Sequence, residues 1–145
     1  MNADALLEAD EAAPVNDLEL LDAIWPALCD AIAAHDDPPT GVVGDWFWSR
    51  LSLEEIQSAG LAELQSAPPE ELPEMTEAWQ RLGRADMVDL LFAALTAPPA
   101  RLDALEDRLD DLADGLDDLH VRLLRAHRAA FLATLRRPGS VIAPR

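Results

Sequence analysis

Apolar residues recur at helical spacing through most of the chain. Leu18, Leu21, Ile24, Trp25, Leu28 and Ile32 follow one another at steps of mainly three and four. So do Met75, Trp79 and Leu82, then Met87, Val88, Leu91, Phe92 and Leu95, predicted to face inward. From Leu102 the pattern tightens: Leu102, Leu105, Leu109, Leu112, Leu116 and Leu119 alternate three- and four-residue steps, the seam of a helix with a period near 3.5. It continues through Leu123, Leu124, Phe131, Leu132 and Leu135. No window alternates with period two and β-branched residues, so no sheet is expected. The predicted fold class is all-α, a compact irregular bundle of five to seven helices with a long C-terminal helix.

Turn and cap residues set the expected boundaries. Residues 1–15 read as a weakly ordered acidic leader in which Leu6 and Leu7 could pack as a short helical turn, residues 16–137 as a single helical domain, and residues 138–145 as a loose tail. Asn16 with Glu19 is a capping box and starts the first amphipathic helix, within which Pro26 either kinks one helix or opens a second. The run from His35 to Gly41 breaks helix. Ser52 with Glu55 reads as a second capping box, opening a helix to about Gln65 that Gly60 weakens and Pro68-Pro69 ends. Pro73 suits the first turn of the next helix and Gly83 its C-terminal cap; Ala85–Thr96 follows, stopped by Pro98-Pro99. The last helix either runs to about Arg137 or bends at Gly115.

Charge changes the picture most in the stretch Arg101 to Leu119. Outside the leucine seam it is a carpet of acid, with Asp103, Glu106, Asp107, Asp110, Asp111, Asp114, Asp117 and Asp118 set against Arg108. At a helical rise of about 1.5 Å per residue this is roughly one carboxylate per 3 Å, close to the phosphate spacing of about 3.4 Å along one DNA strand. A solvated face opposite a leucine seam is ordinary coiled-coil composition. Yet these carboxylates crowd one another three and four residues apart, which destabilises a helix by a few tenths of a kcal/mol per pair.

The whole chain has a net charge of −17, from 28 acids against 11 arginines and no lysine. Direct binding to nucleic acid or to an anionic membrane is disfavoured by that balance, and basic partners are favoured. Acidity of this size also arises as salt adaptation, but the charge is uneven: residues 120–145 hold six Arg and no acid. A single cysteine, Cys29, rules out an internal disulfide and a thiolate zinc cluster. The N-terminus has acids where a signal peptide needs cations, so a cytoplasmic protein is expected. Metal spacing fails wherever it is checked: His120 and His127 are two helical turns apart, and around Gly115 the third and last calcium-ligand positions fall on Leu112 and Val121. Neither a phosphate loop nor a nucleophile motif is present, so no enzyme, no cofactor and no metal are expected. In GDWFWSRL the adjacent rings of Trp46, Phe47 and Trp48 cannot all face one side of a regular element, and at least one is expected to be partly exposed.

Three segments carry a family resemblance: Glu74 to Phe92, Leu105 to Leu112 and Leu123 to Leu132. Together they resemble the C-terminal two thirds of the acidic all-helical DNA-mimic proteins, with Leu82-Gly83, Arg125, His127 and Phe131 at matching places. Where that family has an Asn-Gly-Gly-Phe-type aromatic stretch, this chain has GDWFWSRL. The resemblance implies a binding protein that covers the DNA-binding face of a basic partner and regulates transcription as an inhibitor. Its phosphate mimics would be the eight acids from Asp103 to Asp118, extended by Asp17, Asp22 and Asp30 of the first helix. Two other expectations stand beside it: a helical adaptor or immunity-type protein anchored through Trp46 to Trp48, and a homodimer sealed by the leucine seam.

Overall fold

A computed structural model describes residues 2–35 and 38–137. Among them are eight helices and no strand: α1 (Ala3–Ala12), α2 (Asp17–Ala33), α3 (Gly41–Ala59), α4 (Ala62–Gln65), α5 (Glu71–Arg81), α6 (Ala85–Thr96), α7 (Pro99–Ala126) and α8 (Arg128–Leu135). The fold is all-α, as the spacing of apolar residues requires, and α7 is the long helix. No helix among the described residues is long and apolar enough to cross a membrane. The tail expected at 138–145 lies outside the described residues.

The chain divides into two compact units, residues 1–44 with 117–145 and residues 45–116. The division falls inside α3 and inside α7. In the first unit α1, α2 and α8 pack against one another around Leu7, Leu20, Leu21, Ile24, Leu28, Leu124 and Phe131. In the second, α5 and α4 pack on α6 around Trp46, Leu53, Met75, Trp79, Met87, Leu90 and Leu91.

Several boundaries follow the sequence signals closely. The Asn16 side chain accepts hydrogen bonds from the backbone N–H groups of Leu18 and Glu19 at 3.0 and 3.2 Å, capping α2. Pro26 is accommodated within α2, which remains one helix. Gly83 has φ +78°, and the flanking bonds from Gly83 N–H to the Gln80 carbonyl and from Arg84 N–H to the Trp79 carbonyl close α5 as a Schellman motif.

Other expectations are corrected. Residues 3–12 form a helix rather than a weakly ordered leader, because Leu7 is fully buried and Asp10 is held by two arginines. Ser52 does not start a helix. It lies buried within α3, where its hydroxyl donates to the Ser49 carbonyl at 2.7 Å and accepts from the Trp79 indole N–H at 2.9 Å. Phe92 faces outward with 55% of its surface exposed, while Leu90 and Ala94 take the inward positions of α6. The last helix neither bends at Gly115 nor runs to Arg137: α7 is continuous through Gly115 and stops at Ala126, with His127 between it and α8.

The N-terminal acids and C-terminal arginines, far apart in sequence, meet inside the first unit. Asp10, 1% exposed, accepts from Arg125 at 3.1 Å and from Arg128, and it also caps the Val15 N–H at 2.9 Å. Arg125 reaches Asp17 as well, and Arg136 pairs with Asp4 and Glu8. Burial alone would push the Asp10 carboxyl up; the hydrogen bonds from Arg125, Val15 and Arg128 outweigh it and hold the group below its ordinary value.

Two outcomes are expected from these features. A carboxyl whose pKa is lowered on folding contributes stability above its unfolded value, near 3.9, that is lost as pH falls through the folded value. Asp10→Asn is therefore expected to cost about 2 kcal/mol at pH 7, as the loss of charged hydrogen bonds does, and to flatten the decline of stability below about pH 4 in urea unfolding. A Cβ added at Gly115 would meet nothing within 4 Å, so Gly115→Ala is expected to raise unfolding free energy by about 0.5–1 kcal/mol.

Candidate functional site

The candidate site is the length of α7 that lies in the second unit, from Pro99 to Leu116. Pro99 occupies the first helical position, where a missing N–H leaves no bond unmade, and the helix continues for 28 residues. Its heptad divides the surface into three faces. Leu102, Leu109 and Leu116 are buried. Leu105 and Leu112, the other half of the seam, are only half-buried. Asp103, Asp107, Asp110, Asp111 and Asp114 are exposed.

The eight acids thus do not behave as one set. Asp103, Asp107, Asp110, Asp111, Asp114 and Asp118 form no side-chain hydrogen bond or ion pair among the described residues. Glu106 is different: one of its carboxylate oxygens accepts the Leu61 N–H at 2.8 Å. That bond satisfies a backbone donor left over where Gly60, at φ +87°, turns the chain into α4, so Glu106 serves the fold of the second unit. Asp117 is half-buried and Asp118 exposed; both belong to the first unit.

Elsewhere, many acids are matched. Within the second unit Arg81 pairs with Asp45 at 2.7 Å, Arg84 holds Asp86 through two bonds of about 3 Å, and Arg50 meets Glu54 at 3.0 Å. In the first unit Arg125, Arg128 and Arg136 take up Asp4, Glu8, Asp10, Glu11 and Asp17. Asp17, a candidate extension of the acidic surface, is therefore already partnered, whereas Asp22 and Asp30 are exposed. Arg81, Arg84, Arg125, Arg128 and Arg136 engage other acids, and Asp103, Asp107, Asp110, Asp111 and Asp114 are left without a partner among the described residues.

The second unit also has an acidic spot that the sequence pattern did not reveal. Glu55 and Glu63 line a concavity of about 220 Å³ with Ser58 and Ser66. Burial raises the Glu55 carboxyl above its ordinary value, and the nearby charges of Glu71 and Glu63 add to the rise.

The aromatic cluster separates by burial. Trp46 is fully buried and belongs to the core, which removes it as an anchor for a partner. Phe47 and Trp48 remain half-buried, with ring centroids 5.2 Å apart in an edge-to-face pair. His120 is buried, His127 is exposed, and no group of three potential metal ligands comes together among the described residues.

Comparison with protein-family models, with curated proteins and with solved structures returns no match to this chain.

Because Glu106 holds a backbone donor, Glu106→Ala is expected to cost about 1–2 kcal/mol in urea unfolding, and Glu106→Gln, which keeps an acceptor oxygen, to recover most of it.

Proposed function

We propose that this chain is a non-enzymatic inhibitor that captures the DNA-binding surface of a basic protein with the aspartates of α7, standing in for phosphates, and so excludes DNA from that surface. The observation behind this reading is that Asp103, Asp107, Asp110, Asp111 and Asp114 are exposed on one continuous helix and carry no compensating partner among the described residues. Their mean spacing of about 4 Å of helix rise per charge lets successive carboxylates address basic side chains arranged to follow a phosphate strand, whose charges lie about 3.4 Å apart. Uncompensated charge of one sign also speeds encounter with an oppositely charged partner. Asp118 extends the row in sequence, and Glu106 contributes through whatever charge its bond to Leu61 leaves outward. On this reading the protein works in the cytoplasm, beside DNA rather than on it, as a regulator of transcription.

A second reading rests on Phe47 and Trp48, whose half-exposed edge-to-face pair is the kind of rigid apolar contact that anchors adaptor or immunity-type interfaces. The two readings differ in which residues carry the affinity.

The test is displacement of fluorescent duplex DNA from a panel of purified basic DNA-binding proteins of the native cell. Wild-type chain is expected to release DNA from at least one member, with potency falling steeply as salt rises from about 50 to 300 mM. The combined Asp107→Arg, Asp110→Arg and Asp114→Arg variant is expected to lose at least tenfold in potency, and Trp48→Ala to lose little. Displacement unaffected by the reversals but abolished by Trp48→Ala would transfer the site to the aromatic pair. No displacement from any panel member would reject the mimic.

A further inference from the structure

We propose that the concavity bounded by α2, α8 and the turn into α3 binds a small, uncharged, largely apolar molecule that carries one hydrogen-bonding group. The concavity lies within the first unit and shares no residue with the α7 aspartates. Its volume is about 650 Å³, inside the range of roughly 300–1,000 Å³ in which small-molecule sites fall. Alanines open it: α2 presents Ala31, and α8 presents Ala130 and Ala133, side chains too short to close the space between the two helices. The third wall is Pro38 and Pro39, whose rings fix the backbone angle φ. A Cβ at Gly44 would come within 2.6 Å of the Pro39 carbonyl oxygen, so the bare glycine lets the turn press directly on α3. A wall held by its own rings and by backbone contact has little freedom to close over the gap.

The chemistry of the lining identifies the ligand. Ile32 and the buried Val43 join the alanines and prolines in an apolar surface, which takes up the body of the molecule. Polar groups stand at a few points only, His35, Thr40, Thr134 and Arg137. Two of these are occupied: the Thr134 hydroxyl donates to the Ala130 carbonyl at 3.1 Å, and Arg137 has an interaction of its own. The half-buried His35 imidazole and the Thr40 hydroxyl make no side-chain hydrogen bond among the described residues. A neutral imidazole offers one donor and one acceptor, so a hydroxyl or amide on the ligand completes it. Charge narrows the class further. No carboxylate stands among the described lining residues to hold a cation. An anion would enter against a net charge of −17, beside a histidine followed in the sequence by Asp36 and Asp37, with Arg137 already engaged. An uncharged molecule meets neither obstacle.

Titration with N-phenyl-1-naphthylamine, an uncharged fluorophore whose emission rises when it leaves water, tests the proposal on the full chain. Wild type is expected to take it up with a micromolar Kd. Ala133→Trp sets an indole into the concavity from an exposed position on α8 and is expected to weaken uptake at least tenfold. Thr40→Trp, exposed on another wall, is expected to do the same, so the test does not hang on one variant folding. Ala33→Trp, exposed on α2 but outside the lining, is expected to change Kd less than twofold. A urea midpoint close to that of wild type shows which variants are folded. On the wild-type chain, decanol is expected to displace the fluorophore at least tenfold more strongly than decanoate, which has the same carbon chain and a charged end. No uptake by wild type, the result if the chain itself or a second copy covers the concavity, overturns the proposal. Uptake that both folded blocking variants leave intact places the fluorophore elsewhere and also overturns it. Decanoate that competes as well as decanol overturns the uncharged class. None of these changes touches α7, so failure here is distinguishable from failure of DNA displacement.

Discussion

Burial of Leu102, Leu109 and Leu116 is the interaction on which the charged surface of α7 depends. Between Asp103 and Asp118 the sequence places nine acid–acid neighbours three or four residues apart. At a few tenths of a kcal/mol each, these oppose the helix by about 3 kcal/mol. A fully buried leucine contributes roughly 1.5–3 kcal/mol, so three of them exceed the repulsion. An isolated peptide of this composition has no such compensation. The helix persists because one of its faces is core, and that leaves the opposite face free to hold charge that serves no purpose in the fold.

The distribution of arginine gives the same answer from the other side. Cations are scarce, and Arg81, Arg84, Arg125, Arg128 and Arg136 engage carboxylates outside the α7 row. Asp10 is the clearest case, a nearly inaccessible acid in contact with two guanidinium groups. The asymmetry between an acidic N-terminal third and a basic C-terminal end is thus an internal pairing within one unit, and it accounts for the feature that sits least easily with uniform salt adaptation. Glu106 sorts itself out of the acidic row by the same logic, since its carboxylate is engaged by a backbone donor. What remains on α7 is charge with no structural employment among the described residues.

Most of the fold was legible because helical periodicity and caps are local signals. The Asn16 cap, the Gly83 terminator and the bounds of α6 depend only on residues within a turn of each end. Long-range choices were not legible. Ser52 resembles a cap in sequence, but the Trp79 indole comes from 27 residues away to use its hydroxyl inside α3. The leader became α1 because Arg125 and Arg128, more than a hundred residues later, hold Asp10. Phe92 left its expected inward place for a related reason: periodicity gives the faces of a helix, and only packing decides which edge of an apolar face turns inward. In the candidate site the row of acids was readable, but the commitment of Glu106 to Leu61 and the split of the leucine seam into buried and half-buried halves were not.

Repulsion among the α7 aspartates opposes the stability of the helix that carries them. Its most direct measurement is the urea-unfolding free energy of a chain carrying Asp107→Asn, Asp110→Asn and Asp114→Asn, compared with wild type at low and at high salt. The variant is expected to be more stable than wild type by about 1 kcal/mol at low salt, with the difference shrinking as salt screens the repulsion. A variant less stable than wild type would mean that these carboxylates hold the fold together, and a difference indifferent to salt would mean that charge repulsion is not what they add.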